Sequence, residues 1–190
     1  PYWTQRAKWV DYANDSKAQP AHAALRQACA EDAELASIDY SKAAKGIAGG
    51  CPLELYIDAS DYAWACCLAQ RPRGGAAPRP GVVFNGSFSS TERSWSAFER
   101  ELYALREGVG ATEPYTKGFE VLVLMDHKNN LFTNSLLGNR RVNKKLLRWS
   151  LDLEEYGARR VRRWIKGTDN ILVDGPSRHP VGRDVVWEHV

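Results

Sequence analysis

Leu53, Leu55 and Ile57 alternate with Glu54, Tyr56 and Asp58, and this period of two predicts a strand with one apolar face. The run continues through a short turn into "AWACCLAQ", so the pair reads as a hairpin. A Pro/Gly loop, "RPRGGAAPRPG", then leads to "VVFNGSF", a third strand, and three strands in series suggest an antiparallel meander. The period then changes. In "SSTERSWSAFERELYALREGVG" the residues Trp95, Phe98, Leu102, Leu105 and Val109 form one helical stripe, with Ser90 or Thr91 as N-cap. "FEVLVLMD" is apolar on both parities, which suits a strand covered on both faces. Two helical stretches follow, "HKNNLFTNSLLG" and "NRRVNKKLLRWSLDLEEYG", the second turning Val142, Leu146, Trp149 and Leu153 inward. "ARRVRRWIK" reads as a basic strand and "TDNILVDGPSR" as a short closing helix or turn. This order predicts an α/β domain built on a mixed sheet. Residues 1–50 read as an alanine-rich helical appendage, with Pro20 opening a helix and "GIAGGCP" ending the pattern.

Composition narrows the class. A chain of 190 residues with 44% hydrophobic and 11% aromatic residues builds a full core and is not disordered. No apolar run reaches the length of a membrane span, so the chain is expected to be soluble and to lack a membrane partner. The only methionine is Met125, and a segment starting at Pro1 reads as part of a longer polypeptide. Cys29, Cys51, Cys66 and Cys67 have neither zinc-site nor disulfide-framework spacing, which points to a reducing, intracellular compartment. The net charge of +3 is modest, but basic residues collect between positions 140 and 166. Arg140, Arg141, Lys144, Lys145 and Arg148 form the first part of that run. Such a stretch is a solvated face or the footprint of a phosphate backbone, and charge alone does not choose between them.

The candidate chemistry lies in the acids. Asp58 and Asp126 end apolar strands, where side chains project into the crevice that binds ligands in open α/β folds. A single strand-terminal Asp is more often a turn cap, so the case depends on other acids arriving at the same place. Glu101 flanks the helix stripe beside a lane of small residues, Ser94, Ala97, Ala104 and Gly108, that lets the helix approach a sheet. Glu99, on the other flank, reads as a solvated surface acid. Asp174 follows a short apolar run and reads equally as a helix cap. Carboxylates gathered in one place repel and make sense around cations, and oxygen-only ligands favour Mg2+ or Mn2+ over zinc. Two such ions would clamp an in-line attack of water on a phosphodiester.

Four motifs carry a resemblance: Asp58-Ala59-Ser60-Asp61-Tyr62, Phe98-Glu99-Arg100-Glu101-Leu102, Asp126-His127-Lys128-Asn129, and Gly167-Thr168-Asp169-Asn170 followed by Asp174 and Ser177-Arg178. In order and spacing they resemble the ribonuclease H domain of gypsy-type long-terminal-repeat retrotransposon reverse transcriptases. The segment before them, "WTQRA" and "ELASIDYSKAAKG", is similar to the connection that joins the polymerase to that domain. The resemblance implies a ribonuclease H-like, five-stranded mixed sheet flanked by helices. It implies a connection segment at 1–50, the ribonuclease H-like domain at 51–180 and a tail at 181–190. It implies cleavage of the RNA strand of RNA/DNA hybrids, with the polymerase portion of the same polyprotein as partner and a cytoplasmic particle or the nucleus as location. By the same resemblance Asp58, Glu101, Asp126 and Asp174 are the catalytic, metal-binding acids. Asp58 would bridge two Mg2+ ions, replaceable by Mn2+, Glu101 and Asp126 would share one, and Asp174 would complete the other. Arg140, Arg141, Lys144, Lys145 and Arg148 would hold the nucleic acid.

The chain also departs from the family pattern. Ala63, Trp64, Ala65 and Cys66 stand where glycines are usual, so the second strand is expected to carry more bulk. Gly175 and Pro176 weaken a helix at the last motif. No histidine lies between Lys166 and Asp174, and His127 and His179 read as packing or surface residues. Asp61 and Asp169 read as turn acids. One alternative is an inactive ribonuclease H-like module that binds nucleic acid or serves as structure. A transposase or integrase is disfavoured by the Asp, Glu, Asp, Asp order of the acids.

Overall fold

The computed structural model describes residues 35–72, 74, 76–126, 143–156 and 160–178. The readings of residues 1–34, of "HKNNLFTNSLLG", of Cys29, His127, His179, Arg140, Arg141 and Val142, and of the tail lie outside those residues. Chain order is α1 (Tyr40–Ala43), β1 (Leu53–Ala59), β2 (Ala63–Gln70), β3 (Arg79–Ser87), α2 (Ser90–Arg93), α3 (Ala97–Thr116), β4 (Val121–Met125), α4 (Lys144–Glu155), β5 (Arg160–Trp164) and α5 (Ile171–Arg178). Short 3-10 turns occupy Ile47–Gly49 and Gly167–Asp169.

The five strands form one sheet in the order β3-β2-β1-β4-β5. β1, β2 and β3 are antiparallel neighbours, as the meander reading expected, whereas β4 joins β1 in parallel and β5 joins β4 in parallel. The long helix α3 is the crossover that makes the first parallel pairing possible. Leu53, Leu55 and Ile57 of β1, with Val121, Val123 and Met125 of β4, pack under Leu102, Leu105 and Val109 of α3 and Trp149 and Leu153 of α4. Tyr56, Ala65, Cys67, Leu122 and Leu124 face the other way and pack with Val173 of α5.

Both faces of β1 are therefore covered, and the alternation in its sequence does not mark a wet face. Glu54 and Tyr56 are buried. They tolerate this because Arg71 reaches Glu54 with Nε at 3.0 Å and Nη2 at 3.2 Å, and the Tyr56 hydroxyl donates to Glu54 at 2.7 Å. The buried carboxylate is thus paired and hydrogen-bonded, as low-dielectric burial requires.

The stretch 89–110, read as one helix, holds two. Ser89 caps α2 and Ser96 caps α3, each in a reciprocal box with the glutamate three residues on, Glu92 and Glu99. The N-cap expected at Ser90 or Thr91 is one or two residues too late for α2, which Ser89 caps, and Trp95 lies in the break between helices. Glu99 is correspondingly not an idle surface acid: it closes the Ser96 box and pairs with Lys145 at 2.7 Å.

The extra bulk of β2 is absorbed by glycines opposite it. Trp64 lies across from Gly86 of β3, where an added Cβ would come 2.6 Å from the indole nitrogen. Cys66 lies under Gly108 of α3, where a Cβ would come 3.0 Å from the cysteine Cβ. Of the small-residue lane, Ala104 and Gly108 are buried against the sheet, whereas Ser94 and Ala97 are exposed. Cys51, Cys66 and Cys67 are buried free thiols.

Residues 35–50, read from the sequence as part of the tether, pack with the sheet. Gln70 donates to the carbonyls of Asp39 and Cys51, the Asp39 amide donates back to Gln70, and Ala36 donates to Pro80 at the edge strand. No helix among the described residues is long and apolar enough to cross a membrane.

Candidate metal centre

Three of the four sequence-predicted acids meet. Asp58, Glu101 and Asp126 each offer a carboxylate oxygen, and these oxygens lie within 4.8 Å of one another. The sheet register brings two of them together. The parallel pairing of β1 with β4 ends at Tyr56 opposite Leu124, and two residues further the same register sets Asp58 beside Asp126. Asp126 is held from its other side, where the Trp164 indole donates to its carbonyl at 2.7 Å and the Ile165 amide donates to Met125. Gly167 stands against the Asp126 carboxylate, and a Cβ there would come 3.1 Å from Oδ2.

Glu101 arrives from α3, one turn in from the Ser96 cap, on the flank that packs over β1. It is 8% exposed, and its Oε2 is buried with no hydrogen-bond partner. Burial pushes its carboxyl up to about 9, and the charges of Asp58 and Asp126 push the same way, against an amide hydrogen bond from Ala59. Burial also raises the Asp58 carboxyl, opposed by a hydrogen bond from Ser177, while the charges of Asp126 and Asp174 add to the rise. A divalent cation would answer both problems: it would offset most of the charge of three converging acids and supply the partner that Glu101 Oε2 lacks. The donor set, all carboxylate oxygen, fits a hard ion such as Mg2+ or Mn2+.

Asp174 lies outside this group of three. Its charge reaches Asp58, but its Oδ1 accepts from Arg178 Nε and Nη2, both at 2.7 Å. It belongs to the first turns of α5 rather than to a cap. Gly175 and Pro176 fall near the C-terminal end of that helix, and it forms regardless.

Two residues of the last motif to which the sequence reading gave no role fasten α5 to the site. The Asn170 side chain, 2% exposed, donates to the Ile57 carbonyl at 3.0 Å, next to Asp58. Ser177, fully buried, donates to Asp58 Oδ2, while the Ser60 hydroxyl donates to the Ser177 carbonyl at 2.6 Å. The signal that could have found them was their place inside the last motif, beside the acid that drew attention.

Of the candidate nucleic-acid contacts, Lys144 and Arg148 are exposed on α4. Lys145 is committed elsewhere: besides Glu99, its ammonium sits 4.2 Å from the centre of the Trp95 ring and 5.1 Å from that of Trp149. Asp61, read as a turn acid, pairs with Arg100 at 2.6 Å and ties the β1–β2 turn to α3.

Comparison with known proteins speaks to the family and the fold. The sequence model of the RNase H-like domain found in reverse transcriptase matches residues 50–156. The chain is 32% identical over 130 residues to the retrovirus-related Pol polyprotein from transposon opus of Drosophila melanogaster, covering 68% of this chain and 12% of that polyprotein. The chain therefore spans about an eighth of that relative. Among solved structures it resembles the native prototype foamy virus protease-reverse transcriptase, with a TM-score of 0.53 and 16% identity over 84% of this chain and 19% of that one. It also resembles the foamy viral protease-reverse transcriptase dRH in complex with double-stranded DNA, with a TM-score of 0.55 and 16% identity over 80% of this chain and 24% of that one. At such identities the structural likeness speaks to fold alone.

Proposed function

Because the chain belongs to the family of RNase H-like domains found in reverse transcriptases, we propose that it is a metal-dependent endonuclease that cleaves the RNA strand of RNA/DNA hybrids during retrotransposon reverse transcription. The observation that carries this reading is the convergence of Asp58, Glu101 and Asp126, with a buried, unpartnered Glu101 oxygen among them. These three side chains would hold the ion, and Asp174 would serve a second one. Bound there, divalent ions would activate the attacking water and stabilise the leaving oxygen of a phosphodiester.

The chain's own residues do the rest. α3 and the β1–β4 register hold the carboxylates before any ion arrives, so little reorganisation is needed on binding. Lys144 and Arg148, with Arg140 and Arg141 before them in sequence, would meet the phosphate backbone. Hybrid selection would rest on 2′-hydroxyl contacts to one strand and shape contacts to the other. The polymerase portion of the same polyprotein would present the hybrid, inside a cytoplasmic particle or the nucleus.

One observation favours a second reading, an inactive nucleic-acid-binding or structural module: Asp174 is engaged by Arg178 and stands apart from the three clustered acids. A single experiment separates the two. The chain and an Asp58→Asn variant are incubated with labelled hybrid, duplex RNA and duplex DNA, with and without Mg2+ or Mn2+. The nuclease reading expects Mg2+-dependent loss of the RNA strand in the hybrid alone, absent in the variant. Binding of the hybrid without cutting establishes the module.

A further inference from the structure

Helix α5 meets the end of β1 through side chains from segments more than a hundred residues apart in sequence. Asn170 reaches the Ile57 carbonyl, and Ser60 reaches the Ser177 carbonyl. Between these two points the Ser177 hydroxyl lies 2.5 Å from Asp58 Oδ2 and 3.1 Å from the Asp174 carbonyl. A hydroxyl has one proton to give, and the nearer, charged acceptor takes it. One Asp58 oxygen is thereby held from the α5 side while the carboxylate also faces Glu101 and Asp126. Ser177 itself is fully buried, so its hydroxyl has these protein partners in place of water.

We propose that Ser177 is a positioning residue: its hydroxyl orients the Asp58 carboxylate for the divalent ion. The inference rests on reading Asp58 as an ion ligand. It concerns a residue that touches neither ion nor substrate. Partners that orient a ligating carboxylate contribute to ion affinity, and their removal weakens it by roughly tenfold or more. α5 has eight residues, too few for a helix to persist alone, so its place depends on such tethers.

The test is titration calorimetry of Mg2+ and Mn2+ into the full 190-residue chain without nucleic acid, beside the Mg2+ midpoint of hybrid cleavage. Ser177→Ala is expected to raise both midpoints roughly tenfold, with cleavage at saturating Mg2+ largely restored. Ser60→Ala is the control, since it loosens α5 without touching Asp58: it is expected to lower the melting temperature and leave the ion midpoints in place. Where Ser177→Ala fails to fold, Ser177→Thr against Ser177→Val compares equal bulk with and without the hydroxyl, and Thr is expected to bind the ion more tightly. Unchanged midpoints in Ser177→Ala, or equal midpoints for Thr and Val, overturn the proposal. A wild-type chain that binds ions but cuts no hybrid ends the nuclease reading and leaves the role of Ser177 standing. One that binds no ion ends both.

Discussion

Helices α3 and α5 each bring one candidate acid toward the end of β1, and they are built on opposite plans. α3 runs for 20 residues from a reciprocal serine–glutamate cap and buries Leu102, Leu105 and Val109 in the main core. Glu101 goes where that apolar stripe takes it. α5 has eight residues, a glycine and a proline near its end, and Val173 as its buried apolar anchor. Asp174 goes where Asn170, Ser177 and Ser60 tie the backbone. The lesson is that one acid is placed by hydrophobic burial and the other by individual hydrogen bonds. The first is inside the cluster of three, and the second is outside it.

The sharpest way to probe the α3 side is Glu101→Gln. Hybrid cleavage and ion binding are expected to fall to background, while ion-free stability rises. The sign follows from the raised carboxyl. Below the unfolded value, near 4.5, the group is protonated in both states, and the stability it contributes is lost as pH climbs toward about 9. Glutamine avoids that loss, so in EDTA at pH 8 the variant is expected to melt about 3 °C or more above wild type, a gain absent at pH 4. Scanning calorimetry at the two pH values checks this.

Leu105→Ala comes next, since it removes a fully buried side chain from the face that positions Glu101. A loss of about 2–5 kcal/mol is expected in urea unfolding, lowering the whole cooperative transition. Asn170→Ala, on the other helix, removes one buried hydrogen bond and is expected to cost about 1 kcal/mol. Its signature is local: amides of α5 exchange faster with deuterium while those of α3 do not. If α3 responds equally, the two helices are one cooperative unit and the contrast drawn above fails. Smallest is Arg178→Ala, which breaks an exposed pair four residues apart and is expected to change stability by less than about 0.5 kcal/mol. A large effect there would mean that Asp174 is held by Arg178 rather than by the backbone of its helix.

The same contrast explains what was legible in the sequence. The first strand of the hairpin and the helix stripe declare themselves through periods of two and 3.6, because each buries a regular face. Asp58 and Glu101 were legible for that reason, each attached to a periodic element, and Asp126 because it ends a continuous apolar run. What escaped depends on neighbours distant in the chain. The pattern at Glu54 and Tyr56 reads as a wet face, and only Arg71 and the second layer make it a dry one. Glu99 and Lys145 each look like surface charges until α3 and α4 come together. Ser177 is a small polar residue in a short helix, and no local rule says that it will lie against Asp58. The break at Trp95 was readable in principle, since Ser89 and Ser96 each precede a glutamate by three residues.

The register between β1 and β4 sets more than the order of strands. Neighbouring strands stand about 4.8 Å apart, so the backbone ladder acts as a ruler that sets how far apart the Asp58 and Asp126 backbones lie and leaves only their rotamers to be adjusted. A slip of one residue in β4 would swing Asp126 to the opposite side of the sheet and leave Asp58 and Glu101 with half a cage. The spacing of the charges is thus written in amide hydrogen bonds, several residues away from any charge.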